Sequence, residues 1–174
     1  MKQFESDWTQ FQELTPFLET GEVEYFADTS TKFSRIAKLF PILAYRINWM
    51  EVENVFLIVK RSENVFESAT SGFIKKVFEV LGIEKHDKLD ALFDGITEGG
   101  LTISAGILSE LGFTFLLIAQ HTYIIPDDCR WCINYTFEGQ LHFGFAAGGQ
   151  LETLERLEKE LATAGIEAQL RLRK

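Results

Sequence analysis

Residues 129–146 read CRWCINYTFEGQLHFGFA, two alternating stretches on either side of a glycine. Successive strand side chains point to opposite faces, so the register across the turn decides which residues share a face. A three-residue loop, Phe137-Glu138-Gly139 with Gly139 left-handed, is a type I turn followed by a bulge. It pairs Tyr135 with Leu141, Ile133 with Phe143 and Trp131 with Phe145, placing six apolar side chains on one face. Thr136, Asn134 and Cys132 then oppose Gln140, His142 and Gly144 on the other. A two-residue loop would mix apolar and polar side chains on both faces, so the sequence predicts the bulged hairpin, with strands over 129–137 and 140–146.

Working outward, Gly148-Gly149 breaks the chain, and residues 150–164 carry Leu151, Leu154, Leu157 and Leu161 on one helical stripe. Glu152–Arg156 and Glu155–Lys159 lie four apart on its outer side, in the favourable order. After Gly165, Ile166, Ala168, Leu170 and Leu172 alternate with polar residues, a half-exposed strand. Upstream, Phe113–Ile125 reads as a long β run closed by Pro126. A meander, a helix and a returning strand predict an α+β domain, mainly an antiparallel sheet with helices packed on one face.

The first half is punctuated by shorter elements. Phe4, Trp8 and Phe11 suggest a helix over 3–14. Thr15-Pro16 suggests an N-cap and first-turn proline, and Thr31 a cap for a helix over 32–40 that carries Phe33, Ile36, Ala37 and Phe40. Residues 43–49 alternate like a strand, and Val55–Val59 reads as a buried one. Phe73, Val77, Val80 and Leu81 fit a helix closed by Gly82. Asp87–Phe93 reads as a short helix ended by Asp94-Gly95, and residues 101–111 as another closed by Gly112.

No repeat, linker or low-complexity tract divides the 174 residues, so residues 1–174 are read as one domain. Sixteen Phe, three Trp and four Tyr offer enough apolar area for a core without disulfides or metal. Glu5 and Asp7 interrupt the stretch where a signal peptide would need apolar residues, and no apolar run approaches the ~20 residues of a membrane span. The expected location is cytoplasmic, with Cys129 and Cys132 reduced. A formal net charge of −9 disfavours nucleic acid as a direct partner.

Few residues suggest chemistry. Cys129-Arg130-Trp131-Cys132 has redox or half-zinc spacing, with His121 and His142 the nearest further ligands. A redox dithiol wants its first cysteine at a helix N-terminus, whereas this motif leads into strand sequence. If the strand begins at Cys129, the two thiols also point to opposite faces. His86 sits among charges and reads as a surface residue. His142 shares the polar hairpin face, which is either a small-molecule site or a face that is solvated or covered. No serine elbow or phosphate loop is present. Asp87, Asp90, Asp94 and Glu98 lack the alternate spacing of a calcium loop and read as an acidic helix face. No catalytic residue, metal site or cofactor is therefore assigned.

What remains is charge. Residues 1–30 hold seven acids against Lys2 alone, and basic residues gather at Arg171, Arg173 and Lys174. Glu19, Glu22, Glu24 and Asp28, with Asp127 and Asp128 before the hairpin, interleave with Phe17, Tyr25 and Phe26. Carboxylates around aromatic anchors suit a surface that binds a basic protein, because charge steers docking while aromatics hold it. In size, acidity and the hairpin 129–146, the chain resembles small acidic immunity proteins of contact-dependent inhibition and polymorphic toxin systems. That resemblance implies a role without carrying over residues: binding and occlusion of a basic toxin domain, often a nuclease. The alternatives are a small metal or redox enzyme using Cys129 and Cys132, and a non-catalytic regulatory interaction module.

Overall fold

The hairpin forms in the register that its alternation dictates. In the computed structural model, β8 (Trp131–Tyr135) and β9 (Gln140–Phe145) pair Tyr135 with Leu141, Ile133 with Phe143 and Trp131 with Phe145. Gly139 takes φ 73° and its N–H donates to the Thr136 carbonyl at 2.9 Å, closing the bulged turn. The structure describes residues 14–44, 46–52, 55–60, 66–94, 99–116, 121–136, 138–146 and 150–172. The helix expected over 3–14 therefore lies outside the described residues except for Leu14, as do Tyr45, Phe137 and Gly148-Gly149.

The hairpin sits inside an eight-stranded antiparallel sheet. Its other strands are β1 (Val23–Phe26), β4 (Val55–Lys60), β5 (Lys88–Asp94), β6 (Gly100–Ser104), β7 (His121–Ile125) and β10 (Ala168–Leu172). Their order is β1-β6-β5-β7-β8-β9-β4-β10. Three helices cover one face: α3 (Phe66–Leu81), α4 (Ala105–Leu116) and α5 (Leu151–Thr163). Phe73, Val77, Leu108, Phe115, Leu157 and Leu161 from these helices pack on Ile103, Ile124, Trp131, Ile133 and Phe143 of the sheet. This is the α+β architecture that the sequence predicts.

The second face is covered as well. α1 (Thr15–Thr20) leads into β1, and α2 (Ser30–Leu39) brings Ile36 onto the sheet. Phe40, Ile47, Trp49 and Val52 complete a second apolar layer over Leu92, Tyr123, Ile125 and Cys132. The side of the hairpin carrying Asn134 and His142 is thus buried rather than solvated.

Several expected elements differ, each for a physical reason. The segment expected as a helix over 87–93 instead forms strand β5, Lys88–Asp94. Leu89, Leu92 and Phe93 have helical spacing, but Leu89, Ala91 and Phe93 enter the first core while Leu92 enters the second. Residues 101–104 belong to β6 and the helix starts at Ala105, where Ser104 Oγ accepts the Ile107 N–H at 3.4 Å. Gly112 follows a kink in α4, where Leu111 leaves helical geometry at φ −110° and ψ 15°, so the helix expected to close at Gly112 does break there before a last helical turn. A Cβ on Gly112 would stand 2.4 Å from Ile74 Cδ1, so the glycine lets α3 and α4 approach closely. Residues 113–116 finish α4, and among the described residues of the expected long strand His121–Ile125 is extended.

Residues 43–49 split into β2 (Ile42–Leu43) and β3 (Arg46–Ile47), because Ala44 turns the chain at φ 49°. Thr15 is the first residue of α1 rather than its cap, and α2 begins one residue before Thr31. Leu151 was expected to face inward, yet as the first residue of α5 it stays 39% exposed. The strand at 55–60, the helix ending at Gly82 and the strand at 168–172 form where their patterns put them.

Candidate functional site

Of the acidic residues singled out by sequence, Glu19, Glu22, Glu24, Asp127 and Asp128 lie toward one end of the sheet, whereas Asp28 follows β1 at its other end. Val23 pairs with Ile103, Ile103 with Leu89, and the neighbouring Asp90 with Ile125. Glu22, just before β1, and Asp127-Asp128, just after β7, therefore project beyond the same end. Three strand spacings of about 4.8 Å separate their strands. Glu19 is exposed on α1, Glu22 in the turn that follows it, and Glu24 on β1.

Among the described residues, each of these groups except Glu19 has a partner. The Thr20 hydroxyl donates to Glu22 at 2.9 Å. Lys88 Nζ lies 3.5 Å from Glu24 and donates to the Glu22 carbonyl at 3.1 Å. Asp127 meets Arg35 of α2 at 3.3 Å, and Asp128 meets Arg130 at 3.5 Å. Such exposed pairs contribute only about 0–1 kcal/mol each, so an incoming cation can replace the internal one at little cost.

Asp28 does a different task. Its carboxylate accepts the N–H groups of Ser30 at 3.0 Å and Thr31 at 3.4 Å, and both their hydroxyls, at 2.5 and 2.9 Å. It therefore caps α2, and these hydrogen bonds hold its pKa below the ordinary carboxylate range. Of the six acids, Asp28 is the one most committed to local structure.

Beneath this surface lies a buried ion pair. Asp90 of β5 binds Lys32 of α2 and accepts the Thr102 hydroxyl at 2.7 Å. Lys32 Nζ also stands 4.8 Å from the Phe26 ring centre. The pair ties α2 to the sheet beside β1. Replacing Lys32 by methionine is expected to cost about 1–3 kcal/mol, since Asp90 would stay buried without its cation. Urea denaturation at neutral pH measures it, and an unchanged midpoint would show that the pair adds nothing.

The C-x-x-C departs from both chemical readings. Its strand begins at Trp131, and Cys129 sits in the preceding turn at φ 54°. Both sulfurs consequently join the same apolar layer instead of opposing faces. Burial raises the Cys129 pKa against the pull of Arg35 and Lys32, and raises that of Cys132 well above the ordinary thiol value. Among the described residues, no group of three or more His, Cys, Asp or Glu converges as a metal site.

Sequence reasoning missed the way the polar hairpin face is covered. Trp49 stacks on His142 with ring centres 5.3 Å apart and planes 10° from parallel. Its indole N–H donates to Asn134 Oδ1 at 2.9 Å, while Asn134 Nδ2 donates to the carbonyls of Thr122 and Tyr135. Burial lowers the His142 pKa to about 4, with Glu138 opposing the shift and His121 adding to it. His142 is thus a neutral ring at neutral pH, held as a structural contact. His86 is exposed beside Glu84, 3.4 Å away.

No helix among the described residues is long and apolar enough to cross a membrane. No protein-family model matches the chain, and neither a curated protein nor a solved structure matches it.

Proposed function

We propose that this chain is an immunity-type inhibitor, a cytoplasmic protein that captures a basic toxin domain, such as a nuclease, and occludes its active site. The observation that carries the reading is the exposed run of Glu19, Glu22 and Glu24 along α1 and β1, with Asp127 and Asp128 at the same end of the sheet. A surface with an excess of acids, here five against Lys88, Arg35 and Arg130, accelerates encounter with a basic partner and selects against acidic competitors.

Charge alone gives short-lived complexes, and residence needs apolar contact. On the side of the sheet covered by α2, Leu43 and Met50 are 66% and 78% exposed, and Leu39 and Ile42 also reach solvent. Such a group of exposed large side chains is a natural contact surface. A regulatory module of a larger assembly would use the same surface, and the identity of the partner separates the two readings. Dithiol or metal chemistry at Cys129 and Cys132 has less support, because both thiols are buried and held protonated at neutral pH.

The test is affinity capture from the native host at low and high salt, followed by kinetics on the partner obtained. A stoichiometric basic protein that is inhibited on binding is expected. The combined variant Glu19→Lys, Glu22→Lys and Glu24→Lys should slow association about tenfold or more at low salt with its melting temperature maintained. An unchanged association rate would remove these acids as the steering surface. Absence of any basic partner in a host that expresses the toxin would end the inhibitor reading.

A further inference from the structure

Residues 46–52, which cover part of the second face of the sheet, belong neither to a helix nor to the eight-stranded sheet. They start in β3, which pairs with β2 as a separate two-stranded sheet. The Asn48 N–H extends that pairing by donating to the Pro41 carbonyl at 2.8 Å. Ile47, Trp49 and Val52 turn inward, while Met50 stays 78% exposed. Beneath Trp49 the sheet is polar. Asn134 lies opposite His142, Thr136 follows Asn134 on the same face, and His121 shares that face by alternation with Tyr123 and Ile125. All four of these polar residues are buried. An apolar segment thus closes over two imidazoles.

We propose that residues 46–52 form an acid-released cover: a proton on His142 lifts Trp49 from the sheet while β7, β8 and β9 stay paired. In the closed form the ring lies flat under the indole and has lost its water, which a neutral imidazole tolerates and an imidazolium does not. Lifting the cover returns that water. A group that binds its proton less tightly when covered must, by linkage, loosen the cover when it is protonated.

The charges around the ring do not cancel this effect. Burial lowers the His142 pKa, Glu138 of the hairpin turn opposes the shift, and His121 of β7 adds to it. Glu138 also feels the charges of His121 and of Arg46 from the cover itself. Glu51, the cover's acid, is exposed. In register, β8 sets Asn134 and β4 sets Ile58 opposite His142, Lys60 lies opposite Gln140, and Asp94 of β5 lies opposite His121.

The experiment follows the Trp49 indole N–H of the full chain by NMR, assigned with Trp49→Phe. Its protection against hydrogen exchange is taken relative to free tryptophan at the same pH. Between pH 7.5 and 5 that protection should fall about ten- to thirtyfold, the factor set by a ring that titrates near 4 when covered and near 6.5 when open. The amides of Ile133 and Phe143 should keep their protection. His142→Phe should abolish the pH dependence. Chemical-shift titration of the His142 ring needs no variant and should show it neutral at pH 5.5. Titration of that ring near 6.5 overturns the proposal, as does pH dependence that persists in a folded His142→Phe chain. Trp49 protection that holds or rises at pH 5 also overturns it, since the indole face would then be retaining the imidazolium. Loss of protection at Ile133 and Phe143 in step with Trp49 would make the event global unfolding and overturn it equally.

Discussion

Truncating Phe143 to alanine is expected to cost about 3–5 kcal/mol, a large share of the roughly 5–15 kcal/mol that holds a domain folded. The ring is fully buried. It lies 6.1 Å from the Trp131 ring and meets Phe145 edge-on at 5.3 Å. Its strand is flanked on both sides, with Phe143 opposite Ile133 of β8 and Leu57 of β4. A sheet paired on both sides cannot easily collapse into the space left, so the cavity cost adds to the lost transfer energy. Urea denaturation should show a lower midpoint with an unchanged slope. A loss under about 1.5 kcal/mol would mean that this part of the core is loosely packed.

The second large effect is pH-dependent. His142 has a pKa of about 4 in the folded chain against 6.5 for the ordinary imidazole. Below pH 6.5 the unfolded chain takes up a proton that the folded chain refuses until about pH 4. The stability associated with the neutral ring is therefore complete above pH 6.5 and is lost as pH falls through that window. The shift corresponds to about 3 kcal/mol. His142→Phe keeps an aromatic ring against Trp49 and removes the proton site, so its stability should decline less between pH 7 and 4 than that of the parent chain. Denaturation at pH 7, 5.5 and 4 measures the difference, and parallel curves would show that His142 does not titrate in this way.

What could be read from sequence divides along physical lines. The hairpin was legible because a period of two and a glycine suited to φ 73° together admit one register. Helix α5 was legible because Leu154, Leu157 and Leu161 form an apolar stripe, whereas Leu151 showed that a stripe does not reveal where it ends. Strand β5 was not legible. Leu89, Leu92 and Phe93 satisfy helical spacing, and the buried carboxylate of Asp90 makes sense only once Lys32 arrives from α2.

The candidate surface shows the same division. The acidity of residues 19–28 was plain, but not that Asp28 is occupied by capping α2 or that Asp127 faces Arg35. The outer position of β1 is also invisible in sequence, since its neighbour β6 lies far along the chain. Trp49 carried no motif, and its place over His142 follows from the turn at Ala44 that lays residues 46–52 on the sheet.

Strand order has a further consequence for the chain as it is made. Both neighbours of β4, namely β9 and β10, are synthesised after it. The stretch VFLIVK at 55–60 must therefore leave the ribosome with its sheet positions unfilled, and it stays so until residues 140–172 have followed. Apolar segments rich in β-branched residues are the ones that aggregate when left unpaired. The interval between the emergence of residue 60 and that of residue 172 is when this segment is most exposed to pairing with other chains.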